Sequence, residues 1–249
     1  MQKQKTTAKE QNFPFCPSMI RALRKGHKTQ TRRILSRGNS LVDGAHAKKL
    51  LWDQLNFDAA SIKPGQAANG NPNPYLEIPC STNRVAHRID PAYRDGSKIW
   101  VKETFAQSDL ADGTPVVTYR AGGSIATGQK DPDSPIYLLH GYAFDETPEP
   151  VRWHPSIFMP RWASRITLGV TNVRIERLQD ISEADCWAEG IEEVDGMFDD
   201  QIPAMAKHIG CPYEDAKPTY ACLWESFYGP GSWDANPFVW KIEFQGIKS

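Results

Sequence analysis

The segment RITLGVTNVRIERL, residues 165–178, narrows the folds open to this chain more than any other stretch. Ile166, Leu168 and Val170 alternate with polar or small residues. That is the two-residue period of a half-buried strand. The alternation slips by one residue at Thr171–Asn172 and resumes with Val173 and Ile175. A one-residue slip inside a strand marks a bulge, and a bulge bends a sheet. The expectation is therefore a curved wall of the kind found in a small barrel.

The other elements fit around that strand. Ser18 is the expected cap of a helix with Met19, Ile20 and Leu23 as its stripe, Arg24 and Lys25 in its last turn, and Gly26 as its stop. Ile99–Phe105 and Val116–Arg120 read as strands. Ser182 and Asp185 form a capping box for a helix that Gly190 stops. Tyr220, Leu223, Trp224 and Phe227 are spaced as the buried face of another helix, which Gly229, Pro230 and Gly231 end. The strand PFVWKIEF follows, with Trp240, Ile242 and Phe244 on one face. Regular crossover helices between strands are missing, which argues against a doubly wound sheet. The expected class is α+β: a mixed β-barrel surrounded by helices. A flexible tail is expected over residues 1–12 and a single domain over 13–249. Insertions are expected at about 36–97, 106–150 and 192–218. The first two are long and loop-rich, with a helix at 46–56, loop through Pro64–Pro74 and a surface loop over 121–150.

Charge is distributed unevenly although the net charge is only −1. Residues 1–35 hold nine Lys/Arg and one acid, and residues 179–200 hold nine acids and no Lys/Arg. Such blocks either face each other across a cleft or form two solvated faces. The five cysteines are scattered without a CxxC pair, and no run approaches the ~18 apolar residues of a membrane span. A reduced, cytoplasmic protein without a membrane partner is expected. His208 and Cys211 have HxxC spacing but no second ligand pair, so no metal is expected.

Three places in the sequence carry chemistry. GHKTQTRR, Gly26–Arg33, is half cationic and places Lys28 three residues before Thr31. In a straight strand these two point apart, whereas in a turn after Gly26 they converge. A threonine beside an amine of lowered pKa is an activated nucleophile. A solvated basic strand edge is the plainer reading of the same octapeptide. Glu189 lies at the end of its helix, where a carboxylate opposes the helix dipole; such a charge either has an external partner or is an ordinary surface residue, the commoner case. In WHPSIFMPRWASR, Arg161 and Trp162 are adjacent and suit a nucleobase by stacking and hydrogen bonding, unless Trp162 simply packs in the core.

On these segments the chain resembles the ASCH family, whose fold is similar to the PUA domain, a small β-barrel that handles RNA or nucleosides. SMIRALRKGHKTQTRR resembles the family's opening helix and G-x-K-T-x-T-x-R motif. KIWVKETF resembles its G-D-x-L-W-V-R-E strand, with Ser97 at the usual acidic position. RITLGVTNVRIERLQDISEADCWAEGI resembles the barrel strand and acidic helix, and LWESFYGPGSWDANPFVWKIEF the closing segment. In layout the chain is similar to long members from phages and prophages, with the W-x-P-S-x-x-M-P-R-W block. A small bacterial member is an amidohydrolase that removes the acetyl group from N4-acetylcytidine, and no cofactor is expected for this chain. The resemblance implies catalytic roles for Lys28, Thr31 and Glu189, and substrate-side roles for Arg33, Arg32, Arg161 and Trp162. Other members only bind RNA or are reported to cleave it. The implied partner is therefore a modified nucleoside or single-stranded RNA or DNA. If the chain only binds, Lys28, Arg32, Arg33 and Arg161 contact phosphates, and binding weakens steeply with salt.

Overall fold

The long strand Thr167–Arg177 pairs antiparallel with Phe238–Ile247 along its length, and their register slips where the hydrophobic phase does. Val170 faces Phe244 and Asn172 faces Glu243, which leaves the exposed Thr171 as the extra residue of a bulge. The computed structural model describes residues 10–35, 60–65, 74–79, 86–91, 93–109, 115–126, 152–194 and 196–247. In chain order the elements are β1 (Gln11–Pro14), α1 (Pro17–Lys25), β2 (Gln30–Ile34), β3 (Ser61–Lys63), β4 (Tyr75–Pro79) and β5 (Ala86–Ile89). Next come β6 (Lys98–Lys102), β7 (Phe105–Asp109), β8 (Pro115–Tyr119), β9 (Ser124–Ala126) and β10 (Thr167–Arg177). The chain continues through α2 (Glu183–Ala188), α3 (Ile202–Ile209), α4 (Ala216–Tyr228) and β11 (Phe238–Ile247). No described helix is long and apolar enough to cross a membrane.

The class is mixed α+β, but the described strands close no barrel. The main sheet has the order β1-β6-β10-β11-β2, with β1 parallel to β6 and the other pairs antiparallel. Its outer strands, β1 and β2, are linked by side chains and not by a backbone ladder. Arg33 of β2 donates to the Pro14 carbonyl of β1 at 2.9 Å and lies over the Phe13 ring at 4.3 Å. The sheet is thus curled until its edges nearly meet, and a seam remains where a closed barrel would have hydrogen bonds.

The region expected as an insertion over 36–97 does more than decorate this sheet. β3, β4 and β5 form a three-stranded antiparallel sheet whose Leu76, Ile78 and Ile89 join the main core. Each such side chain stabilises the fold by about 1.5–3 kcal/mol through burial. β7, β8 and β9 make a third sheet, which packs Phe105, Val117 and Tyr119 against Met159 and Ala163. The region expected as an insertion over 192–218 holds α3, which brings Ala206 and the preceding Phe198 to the interior. The expected helix at 46–56, residues 66–73 of the expected loop and most of the 121–150 loop lie outside the described residues.

Local expectations change where side chains turn inward. Gln11 and Asn12, placed in the tail by sequence, pair in β1 with Ile99 and Trp100. Ser18 is not the cap of α1. Cys16 occupies that position, Pro17 starts the helix, and Ser18 is buried within the first turn. KIWVKETF is two strands, not one. Glu103 is 1% exposed and is bound by Arg165 through two hydrogen bonds of 2.9 and 2.8 Å, so the chain changes sheet there. Phe227 is 54% exposed, unlike Tyr220, Leu223 and Trp224 of the same helix.

Candidate active site

The loop between α1 and β2 sets the position of Lys28. Gly26 ends the helix in the left-handed conformation at φ 81°, and the amides of His27 and Lys28 both donate to the Ala22 carbonyl. Thr29 is then fixed on both sides. Its N–H donates to the Ala188 carbonyl at 2.9 Å, and its carbonyl accepts from Phe244 N at 2.9 Å. Lys28 and Thr29 are not in a strand, so the straight-strand geometry that would separate Lys28 from Thr31 does not arise. α2 is short and capped by the Ser182 hydroxyl, which accepts from Asp185 N at 3.2 Å. It ends at Glu189, and Gly190 follows at φ 83°. A Cβ on Gly190 would lie 2.6 Å from Ala22 Cβ and 3.0 Å from Lys28 Cβ. Glycine is therefore what lets the end of α2 reach the lysine.

The result is a buried ion pair. Lys28 Nζ donates to Glu189 Oε2 at 2.8 Å and to the Glu189 backbone carbonyl at 2.8 Å. The side chains are 1% and 5% exposed. The ammonium sits at the negative end of the helix dipole of α2 and 5.6 Å from the centre of the Phe15 ring. Burial pulls the Lys28 pKa below its ordinary value, and the Arg33 charge adds to this, while Glu189 and Cys16 oppose it.

Lys28, Thr31, Arg32, Arg33 and Glu189 all line one cleft of about 420 Å³. That size falls within the range of small-molecule pockets. The cleft lies at the seam of the sheet, with Pro14 and Phe15 from β1 and its exit on one side, and Thr31 and Arg33 from β2 on the other. α4 supplies an aromatic wall of Tyr220, Trp224, Phe227 and Tyr228, in which the Trp224 and Tyr228 rings lie 4.3 Å apart. Burial raises the Tyr220 hydroxyl well above the ordinary tyrosine value, so it stays a neutral donor.

Three of the residues expected on the substrate side have other roles. Arg32 has no exposed side-chain surface and donates to Glu176 Oε1 (2.6 Å), Asp185 Oδ2 (2.8 Å) and Glu189 Oε1 (3.1 Å). It is an internal brace and not a phosphate contact. Arg161 does not line the cleft. It is paired with Glu10 at 2.9 Å and lies over Trp100. Trp162 is partly buried against the Phe105–Tyr119 cluster and also lies outside the cleft. Arg33 does line the cleft, and its buried Nε has no hydrogen-bond partner among the described residues.

The opposed charge blocks meet here. Lys25 contacts Glu193 at 2.5 Å and His27 contacts Glu192 at 2.7 Å, beside the Lys28–Glu189 and Arg32–Asp185 pairs. Sequence reasoning missed the α4 wall, Phe15, and the carboxylates Glu176 and Asp185. The strand period held one signal. Gln30 and Arg32 alternate with Thr31 and Arg33 along β2, so Arg32 borders the cleft with no exposed side-chain surface. His208 is engaged by Asp234 at 2.8 Å. Comparison with known proteins finds no family model, no curated protein and no solved structure that matches this chain.

Proposed function

We propose that this protein is an amidohydrolase of the ASCH type that removes an acyl group from N4 of an acylated cytosine, with an N4-acetylcytidine-like nucleoside as substrate. One observation carries the reading: Lys28, Thr31 and Glu189, distant in sequence, line a single cleft in which the lysine and the glutamate share a 2.8 Å hydrogen bond. Neutral Lys28 accepts the Thr31 Oγ proton as that oxygen bonds to the acyl carbon. Arg33 donates to the carbonyl oxygen as negative charge develops. The C–N bond then breaks, and the proton on Lys28 passes to the departing N4 amine. Water next attacks the acyl-threonine ester with Lys28 again as base, which releases the carboxylic acid and restores Thr31. Glu189 holds the lysine in place throughout. The aromatic wall of α4, and not Arg161 or Trp162, offers the faces against which a pyrimidine stacks.

The competing reading is a non-catalytic binder of single-stranded RNA or DNA. It needs cations free to meet phosphates, and Lys28 and Arg32 are buried and paired. The free thiols of Cys16, Cys186, Cys211 and Cys222 suit a reducing compartment, and we place the activity in the cytoplasm. The test is chromatographic detection of cytidine from N4-acetylcytidine, with Thr31→Ala and Lys28→Ala run alongside. Hydrolysis by the wild type and a loss of at least about a hundredfold in each variant are expected. Hydrolysis that survives both changes removes the mechanism. Salt-sensitive binding to single-stranded RNA with no hydrolysis installs the binder instead.

A further inference from the structure

We propose that Arg32 is a positioning residue: braced by Glu176 and Asp185, it holds one oxygen of Glu189 and thereby sets how tightly the other oxygen holds the proton on Lys28. The inference rests on the reading of Lys28 as the general base.

The problem it addresses is electrostatic. A carboxylate 2.8 Å from a lysine favours the charged ammonium, which cannot act as a base. Glu189, however, does not give its charge to Lys28 alone. Oε2 accepts from Lys28, and Oε1 accepts from Arg32 at 3.1 Å. A guanidinium stays charged at every relevant pH, so it continues to satisfy Glu189 when Lys28 loses its proton. The lysine can then become neutral without leaving an isolated buried carboxylate, which would be costly.

Arg32 is itself fixed from both directions. Its Nε meets Glu176 of β10, and NH2 meets Asp185 of α2. Lys241 stands opposite Arg32 in the β2–β11 ladder. Like charges in that position repel, and Asp185 relieves this by accepting from Lys241 at 2.7 Å and from Arg32 at 2.8 Å. Gln30, on the same face of β2 as Arg32, donates to the Asp185 carbonyl at 2.8 Å. The charged and titratable groups acting on Lys28 are Glu189, Arg33 and Cys16. Those acting on Arg32 are Glu189, Tyr220 and Glu176, with Asp185 in direct contact. Only a planar fork reaches three carboxylates from one position, so lysine cannot replace Arg32 fully.

The experiment follows the Lys28 titration in the full-length protein by NMR of the labelled lysine ε-methylene, beside the pH profile of N4-acetylcytidine hydrolysis. The variants are Arg32→Gln, Arg32→Lys and Glu176→Gln. Arg32→Gln should raise the Lys28 midpoint and the acid limb of the profile together, by on the order of one pH unit. Arg32→Lys should recover part of that shift. Glu176→Gln removes a competitor for Arg32 and should move both readouts to lower pH. A residue that only supports the fold would lower activity and leave the limb and the midpoint where they were, and that result overturns the proposal. If Arg32→Gln does not fold, Glu176→Gln decides alone, because the Glu176 side chain is 20% exposed and its change is mild. An unshifted midpoint in that variant overturns the proposal as well. Shifted midpoints without wild-type hydrolysis would keep the brace and sink the amidohydrolase reading, and hydrolysis with unshifted variants would do the reverse.

Discussion

At the residue scale the site depends on glycine as much as on charge. Gly190 combines a positive φ with van der Waals contact to α1, so a methyl group there is both strained and obstructed. Gly190→Ala should cost on the order of 2 kcal/mol, read as a lower midpoint of urea unfolding, and should loosen the Lys28–Glu189 contact. A variant as stable as the wild type would show that the ends of α1 and α2 can separate freely. This scale was partly legible in the sequence. A motif in the sequence points to Lys28 and Thr31, and a carboxylate at the unfavourable end of a helix points to Glu189. Arg32 was misplaced because a cation beside a reactive pair looks like a ligand contact until its strand face is counted. Arg161 was misplaced for a different reason: its partner Glu10 lies 151 residues away, and pairing across that distance leaves no local sign.

At the element scale the bulge in β10 sets the alignment of everything after it. Thr171 is the extra residue, and Val173 and Ile175 face the core because the bulge absorbs it. Inserting one residue between Asn172 and Val173 should turn Val173 and Ile175 outward, or force β11 to shift against β2. The expected outcome is an insoluble or unfolded chain, assayed by circular dichroism and solubility. A soluble variant with a wild-type spectrum would count against the bulge as a register device. The phase slip was legible because side-chain alternation is a local property of a strand. The break at Glu103 was not, since KIWVKETF keeps its strand period while the partner that turns it, Arg165, lies 62 residues away. Phe227 was misread for a related reason: helical spacing locates a face but does not say where that face leaves the core.

At the scale of the whole molecule, the meeting of basic and acidic blocks makes stability depend on pH. Burial alone would raise the Asp185 carboxyl, but Lys241 and Arg32 outweigh it and hold the group well below its ordinary value of 3.8. The unfolded chain therefore takes up that proton first. The contribution of Asp185 is present above about pH 4 and is lost as pH falls through the lower folded value. The urea midpoint of the wild type should drop more steeply below pH 4 than that of Asp185→Asn. Parallel curves would exclude Asp185 as a source of acid lability. The curled sheet was foreseeable as curvature but not as a seam. Whether two edge strands form a ladder depends on where their ends arrive, and hydrophobic pattern does not encode that.

Among the described strands, the one that carries Thr31 pairs only with β11, in the register Thr31 to Ile242. On the ribosome, a nascent chain that has emerged through α4 already contains every proposed catalytic side chain, yet β2 still lacks its partner β11. Assembly of the pocket must wait for residues 238–247 to leave the exit tunnel. Until then β2 is an open edge for chaperones or for another copy to occupy, and closure over so long a sequence separation makes slow folding the expected behaviour.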